Sequence, residues 1–267
     1  MNSISSPDSV IFSVEEGIAT ITLNRPSSLN AFDLALAGDL RRLGSNVESR
    51  QDIRVLIIRG NGPAFCAGAD LQMFVENLNE IASPVRAILH ELGEFVSCLR
   101  RMGKIVIMSI HGSIAGGGMS LVLHGDLCIA ANSTRFSPAY NRLGLSPDMG
   151  ATISLPRAIG TKRCIQAFLY EDHISAQQAF EWGMVNWVVP DDQLKSETLR
   201  IAKRIAANDT LTIAETKRLI NMDRGQTLES QMRDETEAII TCMRGNVFNS
   251  VIGHIARNGR IKRPTLG

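Results

Sequence analysis

Ile105-Val-Ile-Met-Ser-Ile-His-Gly-Ser-Ile-Ala-Gly-Gly-Gly-Met-Ser120 decides the fold: a nearly continuous apolar run passes through His111 into a glycine-rich turn, and the turn opens a helix. A strand with no polar alternation is one covered on both faces, as in a parallel sheet sandwiched by helices. The pattern recurs upstream, where Val55 to Ile58 lead into Gly60-Asn-Gly-Pro-Ala-Phe-Cys-Ala-Gly-Ala-Asp-Leu71, and Leu127 to Ala131 is a weaker third run. Short β-branched runs alternating with longer periodic segments define an α/β protein.

Outward from this centre, Val10 to Val14 and Ile18 to Leu23 flank Glu15-Glu16-Gly17 and predict a hairpin. Asn30 is expected to cap the next helix, with Asp33 in its first turn and Phe32, Leu36, Leu40, Leu43 and Val47 on its buried stripe. Ser83-Pro84 starts a second helix carrying Val85, Ile88, Leu92, Phe95 and Leu99. Beyond about residue 160 the text is almost wholly helical. Ser175-Ala-Gln-Gln178 is a capping box with Gly183 as the stop, and helical patterns follow across Gln193 to Ala207, Thr210 to Met222, Leu228 to Met243 and Val247 to Arg257. Their apolar stripes are too one-sided for an independent domain and must close over the first half or over another subunit.

The chain has 267 residues, 44% hydrophobic and 21% charged, enough for a full core without disulfides or metals. Its net charge of +1 argues against binding dominated by phosphate neutralisation, so nucleic acid is not an expected partner. No stretch approaches the ~18 consecutive apolar residues of a membrane span. Met1 to Ser9 lacks the basic and apolar regions of a signal peptide, so the expectation is a cytoplasmic protein with a frayed start. Cys66, Cys98, Cys128, Cys164 and Cys242 are odd in number and scattered, which predicts reduced thiols and no zinc framework.

The two glycine-rich turns admit two readings. Triple glycine lets a backbone approach a ligand and present amide N–H groups to an oxyanion, or it simply allows tight strand-to-helix packing. Neither turn matches a nucleotide phosphate cradle.

Asn24-Arg-Pro-Ser-Ser-Leu-Asn-Ala31, Phe65-Cys-Ala-Gly-Ala-Asp-Leu71, Gly112-Ser-Ile-Ala-Gly-Gly-Gly118 and Phe180-Glu-Trp-Gly-Met-Val185 stand in the order and spacing of the enoyl-CoA hydratase/isomerase (crotonase) superfamily. The resemblance spans roughly residues 10 to 260. It implies a spiral of ββα units over residues 1–200 with the acyl-CoA site, and a helical trimerisation region over 201–267, giving a homotrimer or a dimer of trimers. It also implies that the thioester oxygen accepts the N–H groups of Ala69 and Gly117. A donor aimed at a developing enolate oxygen is worth roughly 3 to 4 kcal/mol. The coenzyme A portion is expected along Ala67, Gly68, Asp70 and Leu71, beside Gly116, with Arg25 near its phosphates or, alternatively, a solvated surface cation.

Hydratases of that family use two glutamates; here those positions align with Ser120 and Tyr140. General acid–base groups contribute about 10²–10⁴-fold, so their loss argues against standard hydration. Asp148, in Leu143-Gly-Leu-Ser-Pro-Asp-Met-Gly-Ala151, has two readings: the N-cap of a helix beginning near Met149 and running towards Ala158, or a catalytic acid. The segment resembles the branch of epoxyphenylacetyl-CoA and Δ3,Δ2-enoyl-CoA isomerases, where an aspartate at the matching position moves the proton. Some thioester dehalogenases carry an aspartate there as nucleophile. The resemblance thus favours a one-base shuttle with no metal or redox cofactor, coenzyme A being part of the substrate. An apolar pocket from Phe136, Tyr140, Leu143 and Met149 would raise the carboxyl from its ordinary value of about 3.9. Tyr140 would orient the substrate or merely pack.

Other residues carry weaker signals. Cys66 has no histidine nearby in sequence to activate it. His90 falls on a polar helix side and His111 ends a strand; Glu91 and Glu94 lie on a helix that could border the acyl pocket. The basic run from Arg257 to Arg263 would reach a neighbouring subunit's ligand or form a solvated tail. Three functions therefore compete: an isomerase acting through Asp148, a hydratase or lyase using another carboxylate, and a non-catalytic acyl-CoA-binding subunit.

Overall fold

A computed structural model describes residues 9–222, 225 and 227–258. The expectations for the extreme N-terminus and for residues 259–263 of the basic run lie outside these described residues.

The hairpin forms as the pattern requires. β1 (Val10–Glu15) pairs antiparallel with β2 (Ile18–Leu23), and the turn uses Glu16 and Gly17 at φ of 51° and 78°. After it comes α1 (Leu34–Ser49), whose cap is Asp33 rather than Asn30: the Asp33 carboxylate accepts from the Leu36 N–H at 2.8 Å. Asn30 is fully buried because its one amide serves three backbone groups. It donates to the carbonyls of Asn61 and Ala64 at 2.9 and 2.8 Å and accepts from the Arg25 N–H at 2.8 Å. Phe32 therefore precedes the helix, while Leu36, Leu40, Leu43 and Val47 form its buried stripe.

The chain then repeats one unit. β3 (Val55–Gly60) leads to a short β4 (Ala64–Cys66), then α2 (Leu71–Glu76) and α3 (Ala82–Arg101). β5 (Ile105–Ile110) leads to β6 (Ser113–Ala115) and α4 (Gly117–Val122). β7 (Leu127–Ala131) leads to β8 (Arg135–Ser137), α5 (Ala151–Ile159) and α6 (Thr161–Leu169). The tail of the chain holds β9 (Ile174–Ser175), α7 (Ala176–Trp182), β10 (Trp187–Val189), α8 (Leu194–Ala206), α9 (Thr210–Asn221), α10 (Leu228–Met243) and α11 (Asn246–Asn258). Ser175 caps α7 by accepting from the Gln178 N–H at 3.1 Å, and Gly183 ends it in the left-handed region.

The long strands build one sheet, β1-β2-β3-β5-β7-β10, parallel from β2 onward; the short strands build a second, β4-β6-β8-β9. This is the expected α/β spiral of ββα units with a helical C-terminal region. The continuous apolar runs are explained by what covers each face. Leu56, Ile58, Val106, Met108 and Ile110 point into the main core, which includes the stripes of α1 and α3. Val55, Ile57, Ile107 and Ile129 point the other way, against Leu194, Ile201 and Ala202 of α8.

Position 200, the expected end of the spiral core, falls within α8. α9 is tied to the core by Lys217, which is 4% exposed and donates to the Leu99 and Lys104 carbonyls and to Asp126 at 2.6, 2.8 and 2.7 Å. In contrast, α10 and α11 leave Leu228, Met232, Ile239, Val251 and Ile252 exposed. The five cysteines are free, and among the described residues no helix is long and apolar enough to cross a membrane.

Candidate active site

Because β4, β6 and β8 are neighbours in the second sheet, the loops leaving their ends converge. Those loops carry Ala67 to Asp70, Gly116-Gly117, and Ala139 to Asp148. The first two abut closely: a methyl built on Gly68, whose φ is 87°, would lie 2.7 Å from the Ala115 carbonyl oxygen and 3.1 Å from the Gly117 nitrogen. One on Gly118 would lie 2.3 Å from the Cys66 carbonyl oxygen. Only glycine permits this contact.

Phe32 sets the direction of the first turn. Its N–H donates to the Gly68 carbonyl at 2.7 Å and its carbonyl accepts from the Asp70 N–H at 3.0 Å, so the intervening Ala69 N–H turns away. Among the described residues no acceptor takes the N–H of Ala69 or of Gly117. Both residues line a cavity of about 300 Å³.

The cavity wall is apolar, built from Phe32, Leu71, Phe74, Ile88, Leu89, Leu92, Leu143, Leu145 and Met149 together with Ala67, Ala69 and Gly116-Gly117. Its ionisable lining residues are Tyr140, Arg142 and Asp148. Arg142 is engaged by Asp172 at 2.7 Å, which leaves Asp148 as the one carboxylate among the lining residues. Phe136 is fully buried but faces the core, not the cavity. Glu91 pairs with Arg41 and Glu94 is exposed, and neither lines the cavity.

Asp148 is not a helix cap. α5 begins at Ala151 with Gly150 before it, and Asp148 contributes only its backbone carbonyl to the Ala151 N–H. Its side chain instead accepts from the Tyr140 hydroxyl at 2.6 Å, and that hydroxyl is 2.8 Å from the Ser120 Oγ. A phenol has one proton and an ionised carboxylate only accepts, so Ser120 is the donor to Tyr140. Burial pushes the Tyr140 phenol up, keeping it protonated. Burial likewise raises the Asp148 carboxyl above its ordinary range, opposed by the hydrogen bond from Tyr140.

The remaining predicted site residues support the turns from outside the cavity lining. The Arg25 guanidinium lies between Asp33 and Asp70, at 3.0 and 3.1 Å, and also donates to the Ala31 carbonyl. Asp70 caps α2 by accepting from the Gln72 N–H at 3.2 Å. Gly68 and Ser120 stand one layer back. The Cys66 thiol is pushed up to about 12 by burial and donates to the Asn30 carbonyl at 3.1 Å, so it is no nucleophile. His90 is exposed, and the His111 ring bonds the Gly62 carbonyl at 2.8 Å. Among the described residues no cluster of three or more His, Cys, Asp or Glu is placed to hold a metal ion. The sequence reading missed His124, whose Nε2 lies 2.6 Å from the Met149 carbonyl oxygen; a lone histidine after a buried helix gives no signal in sequence.

Comparison with known proteins gives the family and the fold. A family profile described as enoyl-CoA hydratase/isomerase matches residues 13–246. The chain is 36% identical to 1,2-epoxyphenylacetyl-CoA isomerase of Escherichia coli (strain K12) over 224 residues, 84% of this chain and 86% of that one. It is 31% identical to trans-2-decenoyl-acyl-carrier-protein isomerase of Streptococcus mutans serotype c over 198 residues, 73% of this chain and 75% of that one. The crystal structure of enoyl-CoA hydratase from Bacillus anthracis matches with a TM-score of 0.87 at 28% identity, over 96% of this chain and 98% of that one.

Proposed function

The chain belongs to the enoyl-CoA hydratase/isomerase family, and from that premise we propose that it moves a carbon–carbon double bond along an acyl-CoA thioester, with Asp148 carrying the proton. The observation that supports the reading is the pairing of one lining carboxylate with two unclaimed N–H groups across an apolar cavity.

In this mechanism Asp148 takes a proton from the carbon beside the thioester carbonyl. The negative charge spreads to the thioester oxygen, where the Ala69 and Gly117 N–H groups receive it, each worth roughly 3 to 4 kcal/mol. The same carboxyl then returns the proton at the far end of the conjugated system. Burial raises Asp148 toward the working pH, which makes it both a better base and a competent acid. The proton transfer asks for no metal or redox group; coenzyme A is the carrier of the substrate.

Hydration is the less favoured reading because it needs one group to activate water and a second to deliver a proton. The positions that would supply them hold Ser120 and Tyr140, and the Tyr140 phenol is held protonated by burial. In the same proposal, the exposed apolar faces of α10 and α11 are where further copies of the chain pack to make a homotrimer or a dimer of trimers. The test offers 3-enoyl-CoA and 2-enoyl-CoA thioesters separately. Migration of the double bond without appreciable 3-hydroxyacyl product supports isomerisation; hydration as the main outcome, or no turnover of either thioester, overturns it.

A further inference from the structure

The residue that follows the carboxylate is in a conformation it would not choose. Met149 has φ of 49°, in the left-handed region that L side chains with long stems rarely enter. Such a conformation persists only where its surroundings over-determine it, and clusters of this kind occur where geometry serves function.

The carbonyl of this residue is bonded to His124. The ring is buried, and its Nε2 is 2.6 Å from the Met149 carbonyl oxygen. A carbonyl oxygen only accepts, so Nε2 carries the proton and the imidazole is the Nε2–H tautomer. Nδ1 is then a bare nitrogen, and among the described residues this buried atom has no hydrogen-bond partner. Burial also lowers the His124 pKa, which keeps the ring neutral. Gly150 makes room for the ring: a methyl there would lie 3.3 Å from His124 Cε1.

The placement of His124 gives the contact a purpose. α4 begins at Gly117, a donor to the proposed enolate, and His124 follows two residues after α4 ends. The Met149 sulfur lies 3.6 Å from where a methyl on Gly117 would stand. Met149 is thus bonded at its carbonyl by one end of this segment and lines the same cavity as the other end. Asp148 is the adjacent residue.

We propose that His124 is a positioning residue: its Nε2–H pins the Met149 carbonyl and so fixes the distance between the Asp148 carboxyl and the Gly117 N–H. The proposal rests on the reading of Asp148 as proton carrier. A displacement of about 1 Å at a reacting group can reduce rate by ~10²-fold without weakening binding.

The experiment compares His124→Phe, which keeps a flat ring and removes the donor, with His124→Gln, which restores an N–H at similar reach. The full chain is assayed for exchange of thioester α-protons in heavy water, with binding of a saturated acyl-CoA measured alongside. The expected result is a 10- to 100-fold slower turnover for the Phe variant at thioester affinity within about threefold of wild type, with most of the rate recovered by Gln. A Phe variant as fast as wild type overturns the proposal, and so does a Gln variant no better than Phe. Should the Phe variant not fold, imidazole ¹⁵N shifts of the wild type decide: the Nε2–H tautomer is required, and Nδ1–H overturns the proposal. Wild type without exchange on any thioester sinks the reading of Asp148 and this inference with it; wild-type exchange abolished by Asp148→Asn but untouched by His124→Phe sinks this inference alone.

Discussion

The Tyr140 hydroxyl donates to Asp148 Oδ1 across 2.6 Å while accepting from the Ser120 hydroxyl, so three residues form one directed chain of hydrogen bonds. The chain fixes which carboxylate oxygen is occupied. Oδ1 is committed to Tyr140, so in the proposed mechanism Oδ2 is the oxygen that exchanges the proton.

Tyr140→Phe removes the bond that opposes the upward shift of Asp148, so the carboxyl rises further. In the proposed mechanism its ionised form is the base, so the acid limb of kcat/KM moves to higher pH. Ser120→Ala should shift the limb in the same direction by less, because it only weakens the Tyr140 donor. A pH–rate profile of the three proteins checks both statements.

Burial of Asp148 leaves a stability signature as well. The folded carboxyl lies above the unfolded value of 3.8, so between those two values the folded state binds more protons and stability falls as pH rises. Asp148→Asn removes this penalty. Thermal melts should show the Asn variant with a higher Tm than wild type at pH 7 to 8, and the gain should vanish below the ordinary carboxylate range.

At Gly68 the backbone φ of 87° and the Ala115 carbonyl oxygen 2.7 Å from a built methyl leave no room for a side chain. Gly68→Ala is expected to destabilise by about 2 kcal/mol or more and to move the Ala69 N–H away from Gly117. Denaturant melts measure the first effect. Thioester turnover, expected to fall by about 10²-fold, measures the second.

Lys217 holds α9 on the core. Lys217→Met leaves Asp126 largely buried without its cation, a change expected to cost about 3–5 kcal/mol in urea unfolding. The pair's pKa values move in the same sense as this argument: burial lowers Lys217 and raises Asp126, each opposed by the other. Adding Asp126→Asn to the Met variant should recover part of the loss, because the buried charge is gone.

Where the sequence was informative, a periodic covering force stood behind it. Ile105 to Ile110 form a strand with the predicted ends because α8 and the α1–α3 layer cover its two faces, and Leu228 to Met243 form a helix with the predicted ends. The short strands β4, β6 and β8 have three residues each, too few for alternation to register, so the second sheet that gathers the loops was not legible. Asn30 has the residue type of a helix cap, but its amide satisfies a distant loop and not the first helix turn. The Tyr140–Asp148 contact spans eight residues of a loop bent by left-handed Ala139, Gly144 and Met149, and no residue pattern encodes such a path. The helical pattern of Thr210 to Met222 carries no sign that Lys217 meets the carbonyls of Leu99 and Lys104.

Proton exchange at the carbon beside the thioester carbonyl, followed by NMR in heavy water for wild type and Asp148→Asn, tests the central claim most directly. The account predicts steady deuterium incorporation by the wild type and a loss of about 10²–10⁴-fold in the Asn variant, with acyl-CoA still bound. An Asn variant that incorporates deuterium at the wild-type rate would contradict it.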